Sequence, residues 1–462
     1  METTWKPELS ETGQPVYMAI VKAISDDIAR GTLSKETRLP THRELADSLR
    51  VAIGTVTRAY AEAERRGLIR SEGRRGTFVG EQRSSRSVLS SIAGLPPLGI
   101  DLSKNHPSYL LDPDLPSALK EIARNRSAAS LLEYSPAAGQ MRHRECGARW
   151  LSMLGAIAAP ESVFVTAGAQ HAVSVILASE TKRGDVIATE RFTYTGVKAL
   201  AEILDLHLIG LPADEYGLIP EALDSLCRKR RVRVLYCNPS LQNPTNTIWP
   251  KERREQIAAL AIKYGITIIE DEIMRPLLVE HPGFMTSMAP EQCYLVVSTS
   301  KAVAAGLRVG FILASAKAGR ALIDSLNASS LGTPPLMAEL FSVWLDDGTV
   351  DRVIERRRED ASQRQALAAG VLNGLRFHGN PSSYNIWLEM PEGWTSMKLA
   401  MEAQLRGAVV APGEAFAVDS KLPYEAVRLS VVSAPTRELL KTGLSTIAGV
   451  LKGSSRDNIA TV

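Results

Sequence analysis

The sequence has few cysteines, four in 462 residues, at 146, 227, 237 and 293, with no CxxC pairing and no zinc-ligand spacing. That argues against a disulfide framework and for a reducing, cytoplasmic setting. There is no apolar run near 18 residues, and METTWKPELS lacks a basic region followed by an apolar core, so neither a membrane span nor a secretory leader is expected. Charge of one sign is also missing: 54 Lys and Arg face 51 Asp and Glu, a net +3. This excludes a histone-like polycation but leaves room for a small basic patch. His143 and Cys146 form an isolated H-x-x-C, which reads as a helix surface and its core-facing thiol, so no metal is expected. What is present is material for a core: 45% of residues are hydrophobic and 23% charged, in a chain long enough for two or three domains.

Residues 81–99, EQRSSRSVLSSIAGLPPLG, are rich in Ser, Gly and Pro without sustained periodicity. They read as a linker between a head, residues 1–80, and a large body, residues 100–455. The head carries 13 Lys and Arg against 11 Asp and Glu. Its surplus is local, because Arg65, Arg66, Arg70, Arg74 and Arg75 face only Glu72 within 65–76. The body alternates short β-branched runs with helical patterns, as an α/β domain does.

In the head, Ile20, Ala23, Ile24 and Ile28 form one helical stripe. Thr41 precedes Glu44 by three, a capping-box start for a helix that Leu45 and Leu49 bury. A third helix begins near Thr55, with Val56, Ala59, Tyr60 and Ala63 facing the core. Thr55, Thr57 and Arg58 then point away from it, where a recognition helix meets base edges. Gly67 can end that helix, and LIRSEGRRGTFVG supplies two strands around a Gly- and Arg-rich tip. The stretch LPTHRELADSLRVAIGTVTRAYAEAERRGLIRSEGRRGTFV resembles the winged helix–turn–helix of the GntR family of bacterial regulators. The turn into the recognition helix departs from the family, with Ala52-Ile53 replacing the usual Ser-Arg pair. The resemblance therefore implies duplex contacts from Thr41, Arg43, Thr55, Thr57 and Arg58, with Arg74, Arg75 and Gly76 on the wing.

In the body, SVFVTAGAQHAVSVILAS reads as strand, Gly turn and helix, whose Ala169 and Gln170 amides can hold an anion against the helix dipole. VRVLYCNP is a strand leading into the polar turn SLQNPTN, and Pro250 then starts a helix that Gly265 ends. ITIIED delivers Glu270 and Asp271 at a strand end, and YLVVSTSK delivers Ser298, Ser300 and Lys301. An unpaired ammonium at the end of a buried strand is costly, so Lys301 needs a reason. Schiff-base chemistry with an aldehyde is one. If the aldehyde is pyridoxal phosphate, an aspartate for the ring nitrogen, a phosphate clamp and a stacking ring should accompany it.

Residues 100–455 resemble the fold type I aminotransferases. The resemblance implies an α/β architecture in which Lys301 holds the pyridoxal phosphate aldehyde and Ser298, Ser300 and Arg308 hold its phosphate. It further implies that Asp271 pairs with the pyridinium, Asn243 donates to the ring hydroxyl and Tyr194 stacks on the ring. Tyr134 would reach the phosphate across a homodimer interface, and Arg428 would bind an amino-acid carboxylate. In EDEIMRPL, Ile273 and Met274 stand where a tyrosine is usual, and Asn246 replaces the glycine after NPT. These departures spare cofactor binding and work against efficient transamination.

One other motif match is Ser298-Thr-Ser-Lys301 with Lys441-Thr442-Gly443, the S-x-x-K and K-T-G of penicillin-recognising enzymes. It fails for want of a helix start before Ser298, an S-D-N between, and a strand at Lys441. A GntR-type head on an aminotransferase-like body is the layout of the MocR subfamily. That layout implies a DNA-binding regulator that senses an amino acid or amine and retains at most residual aminotransferase activity. The rivals are a working aminotransferase and a regulator with a cofactor-free body.

Overall fold

The structure is a computed structural model that describes residues 5–7, 16–29, 32–34, 37–65, 68–71, 76–79, 99–124, 128–419 and 426–457. It divides into two compact units that meet in sequence at residues 96 and 97.

In the first unit, helices α1 (Val16–Ala29), α2 (His42–Leu49) and α3 (Ile53–Arg65) are followed by the antiparallel strands β1 (Ile69–Ser71) and β2 (Thr77–Val79). The capping box at α2 is complete. The Thr41 hydroxyl accepts from the Glu44 amide at 3.3 Å, and the Glu44 carboxylate accepts from the Thr41 amide at 2.8 Å. α3 begins two residues before the sequence expectation. Its apolar stripe, Val56, Ala59, Tyr60 and Ala63, is buried with Ile20, Ile24 and Leu45 in one core. Gly67 and the wing tip, with Arg74 and Arg75, lie outside the described residues.

The second unit is built on a seven-stranded sheet. Its strands are β4 (Val163–Thr166), β5 (Val186–Glu190), β6 (His207–Leu211), β7 (Val232–Cys237), β8 (Thr267–Asp271), β9 (Cys293–Ser298) and β10 (Gly310–Leu313). Their spatial order is β4-β10-β9-β8-β7-β5-β6, with only β10 antiparallel to its neighbours. β7, β8 and β9 are buried along almost their whole length because helices cover both faces, so they read as continuous apolar runs. Helix α4 (Ala169–Glu180) follows β4, and α5 (Lys251–Tyr264) ends at Gly265, whose φ of 64° turns the chain into β8. Lys301 is not on a strand. It lies in the single helical turn α6 (Thr299–Ala302), capped by the Ser298 hydroxyl, because the chain must reverse there to enter the antiparallel β10.

A smaller antiparallel sheet (Phe377–His378, Asn385–Glu389, Ala426–Ser430, Ala411–Pro412) packs with helices α7 (Thr349–Val371) and α8 (Arg437–Asp457). Lys441 lies on α8, not on a strand. The strand β3 (Ile100–Asp101) pairs in parallel with Ala408–Val409. Gly99, assigned by sequence to the linker, belongs to this contact. Its φ is +134°, and a Cβ there would come within 2.2 Å of the Gly407 carbonyl oxygen. Residues 81–98 of the linker lie outside the described residues. His143 is not on a helix surface either: it is buried, 2.9 Å from the Glu339 carboxylate.

Because the head has its own core, Leu45→Ala should cost it about 2–5 kcal/mol. Calorimetry of the full chain should show the head's transition lowered and the body's unmoved.

Candidate functional site

The parallel strands β7, β8 and β9 end at one edge of the sheet, the edge at which open α/β sheets keep their ligands. Side chains alternate along β8, so Glu270 and Glu272 face one side and Asp271 the other. Glu270 and Glu272 meet Arg254 of α5 at 3.3 and 2.7 Å, all three fully buried. Asp271 meets Tyr236 instead. In the β7–β8 register Ile269 stands opposite Tyr236, which makes Asp271 its diagonal neighbour on the same face. The Tyr236 phenol donates to Asp271 Oδ2 at 2.7 Å, and the Ile273 amide lies 3.4 Å from Oδ1. Among the described residues no cation forms an ion pair with Asp271. Burial raises its pKa to about 6, against the lowering effect of the Tyr236 hydrogen bond.

Lys301 is drawn the other way. Burial first, then Arg428 and Arg308, lower its pKa to about 8, while Asp271 raises it. Its Nζ donates to the backbone carbonyl of Asn105 at 2.5 Å. Arg428, buried, donates to Asn243 Oδ1 at 2.9 Å and to the Ser103 carbonyl at 2.5 Å. Its guanidinium carbon lies 4.6 Å from the Phe416 ring centre. That leaves the Asn243 amide nitrogen as a donor toward the cleft. Tyr194 is held in the same place: burial, then Asp271, raises its pKa, with Arg308 and Arg428 opposing.

Beside these groups is an anion cradle. Gly168 caps α4 with φ 87° and no side chain, so the free first amides of the helix, at Ala169 and Gln170, are open to a ligand. A Cβ on Gly168 would come within 2.8 Å of the Arg308 guanidinium. Arg308 donates to Ser300 Oγ at 3.0 Å, and the Ser298 hydroxyl lies 3.1 Å from it. The structure therefore brings Ala169, Gln170, Tyr194, Asn243, Asp271, Ser298, Ser300, Lys301, Arg308 and Arg428 together. Tyr134 does not join them; it is 89% exposed in the single chain.

The chain matches the family aminotransferase class I and II over residues 98–447 and bacterial regulatory proteins, gntR family, over residues 16–79. The chain belongs to the aminotransferase class I and II family. With its GntR head it has the MocR layout, and it is a transcription regulator. An uncharacterised HTH-type transcriptional regulator of Bacillus subtilis, YdeF, is 27% identical over 97% of both chains. The 2-aminoadipate transaminase of Thermus thermophilus is 26% identical over 79% of this chain and 90% of its own. A solved structure of Pyrococcus horikoshii kynurenine aminotransferase superposes with a TM-score of 0.73 at 21% identity, over 81% of this chain and 96% of its own.

The cofactor of this MocR-type body is pyridoxal phosphate, and the site fits it. A buried carboxylate without a cation, an anion cradle, and the unpartnered buried atoms Gln170 Oε1, Asn105 Oδ1 and Arg428 Nε all call for a ligand. Bound there, the group supplies an aldehyde for an amine and an electron-withdrawing ring.

Both departures have a physical account. Met274 is buried in an apolar cluster with Leu102, Leu241 and Leu277, so the usual phenol has no counterpart at this position. Asn246 takes φ 67° in place of glycine, and its amide donates to the His378 and Asn385 carbonyls at 3.0 and 2.9 Å. Sequence reasoning missed Tyr236, Ser103, Asn105 and Phe416. Only the alternation of β7 pointed to Tyr236, and choosing it over other buried strand residues needs the register.

In the head, Thr41 is a cap, Arg43 and Thr57 are exposed and Thr55 is half-buried. Thr57 Oγ1 also donates to the Ile53 carbonyl at 3.0 Å. Arg58 lies over the Tyr17 ring, 4.1 Å from its centre, so reading a base would mean leaving that ring. Gly76 has φ 113°.

Asp271 has its pKa raised from 3.8 to about 6, so its stabilising contribution in the cofactor-free chain is complete below 3.8 and is lost as pH rises through 6. Tyr236→Phe removes a hydrogen bond to the ionised form and should raise that pKa further. The acid C=O stretch of Asp271 in the infrared should then persist to higher pH than in the parent.

Proposed function

We propose that this regulator binds duplex DNA through its head, holds pyridoxal phosphate on Lys301, and senses an amino acid or amine at the same site. The observation that carries the reading is one cleft containing a lysine of lowered pKa, a buried aspartate without a cation and a buried arginine fork. Lys301 would hold the aldehyde, since its lowered pKa makes its neutral amine accessible near neutral pH. Asp271, oriented by Tyr236, would pair with the ring nitrogen. Ser298, Ser300, Arg308 and the Ala169 and Gln170 amides would clamp the phosphate, with Tyr194 on the ring and the Asn243 amide on its hydroxyl. Arg428 suits a carboxylate, to which a guanidinium can present two donors at once.

Met274 and Ile273 support regulation over turnover, because no phenol assists Asn243 at that position. A working aminotransferase is the second reading, favoured by the transaminase relative; steady-state turnover with a keto-acid acceptor would establish it. The exposed Tyr134 supports a homodimer in which it reaches the partner's phosphate site, so two half-sites on DNA are expected. Head contacts are assigned to Thr41, Arg43, Thr55, Thr57, Arg58, Arg74, Arg75 and Gly76.

Borohydride should fix the cofactor to the peptide containing Lys301, and Lys301→Ala should abolish the adduct while DNA binding survives. Lys301→Ala and Arg428→Ala should both lose the effector-dependent change in footprint, the second mainly for carboxylate-bearing effectors. A parent-like response from Lys301→Ala would refute sensing through the lysine. Arg58→Ala should cost about 1–3 kcal/mol and relax preference at one base position, if it leaves Tyr17 to read a base. A uniform loss across sequences would make it a phosphate contact.

A further inference from the structure

The segment that opens the body is held by the groups proposed to meet the effector. Up to Leu102 it is anchored to the smaller sheet and to the strand paired with β3: the Ser430 amide donates to the Leu102 carbonyl at 2.7 Å, and the Leu102 amide to the Val409 carbonyl at 2.8 Å. From Ser103 onward the grip changes hands. Arg428 takes the Ser103 carbonyl and Lys301 the Asn105 carbonyl, two residues along. The Asn105 side chain donates to Asn385 Oδ1 at 3.3 Å, and the Asn385 amide donates in turn to Pro244 and Asn246 of the NPT turn. Asn105 Oδ1 and Arg428 Nε are buried without partners, so this set of contacts leaves bonding capacity unused.

We infer that residues 103–105 are the element through which effector binding is transmitted toward the linker, and that a free carboxylate on the effector is what releases it. The inference rests on the sensing function proposed above. While the cofactor holds Lys301, the lysine amine is not available to Asn105, and Arg428 is the charged group left on the arm. The amine of an amino acid would take the aldehyde carbon from Lys301, one C=N bond forming as the lysine's breaks and Lys301 leaving as a free amine, while its carboxylate would reach Arg428. The carboxylate competes with the Ser103 carbonyl for the guanidinium, and an ionised acceptor makes the stronger bond. A simple amine frees Lys301 but offers Arg428 nothing, so Ser103 stays held. The effector class is therefore amino acids with a free carboxylate, with simple amines bound but silent. Asn105 is a positioning residue: its side chain fixes the arm to Asn385, and through it to the NPT turn, and residues 81–98 continue from the arm to the head in sequence.

Glycine and methylamine form a matched pair that differs by one carboxylate. Each is added to the cofactor-loaded full chain at a concentration that saturates its effect on the visible band. Amide hydrogen exchange over residues 101–106 and the footprint on a duplex selected from a random pool by the parent chain are then measured. Glycine should speed exchange of the arm by about tenfold, within the usual range of coupling between sites, and move the footprint. Methylamine should change the band and return Lys301 to the Asn105 carbonyl with Ser103 still held, so it should neither speed exchange of the arm nor move the footprint as glycine does. Asn105→Ala, with Asn105→Ser as the milder variant, should speed exchange and move the footprint the same way without any ligand. Glycine changing the band with no change in arm exchange overturns the inference. So does a variant whose arm exchanges faster on a parent footprint. If no amine changes the band, the sensing function itself fails, and the Asn105 variants alone decide whether the arm transmits.

Discussion

Three consecutive carboxylates at the end of β8 impose the constraint that organises this body. Period-two alternation sends Glu270 and Glu272 to one side of the sheet and Asp271 to the other. Arg254 bridges the outer pair, of which burial and Glu272 push Glu270 up to about 7, and also bonds the Pro239 carbonyl and the Ser240 hydroxyl, so it ties β8 to the turn after β7. Breaking such a buried ionic cluster at one member costs about 3–5 kcal/mol, because the remaining charges cannot regain water. The strand end is thus held rigid, and Asp271 is presented to the cleft without a cation of its own. A ligand with a protonated ring nitrogen completes what the fold leaves open.

The rest of the cleft is electrostatically consistent with that gap. Lys301, Arg308 and Arg428 crowd together, and burial first, then the two arginines, depress the proton affinity of the lysine. Burial lowers Arg428 to about 10, still cationic at neutral pH. An anion between Arg308 and the start of α4 relieves part of this repulsion, and a carboxylate at Arg428 relieves another part. The phosphate and carboxylate of the proposed ligands would thus match the site by charge.

The departures from aminotransferase pattern fall in two physical classes. Asn246 preserves geometry: asparagine accepts a left-handed backbone, and its amide links the NPT turn to the smaller sheet. Met274 changes chemistry, since an apolar side chain in an apolar cluster provides no proton donor. The first keeps the site assembled, and the second removes an aid to turnover.

Much of this was legible in the sequence for definite reasons. The apolar periodicity of α1 and α3, the Thr41–Glu44 box and the all-apolar β7, β8 and β9 are local patterns, and local patterns determine helices, caps and buried strands. The order of Lys301, Asp271, Asn243 and Arg428 along the chain was enough to suggest a cofactor site. Tertiary structure decided what depends on neighbours distant in sequence. Tyr236 reaches Asp271 only because β7 and β8 pair in one register, and His143 is buried against Glu339, 196 residues away in sequence. Lys301 sits on a helical turn because β10 runs back antiparallel. The carbonyls of Ser103 and Asn105 carry no side-chain signature at all, so their contacts with Arg428 and Lys301 follow from packing alone. A sequence specifies its side chains, but the partners of a backbone carbonyl are set by where the whole chain comes to rest.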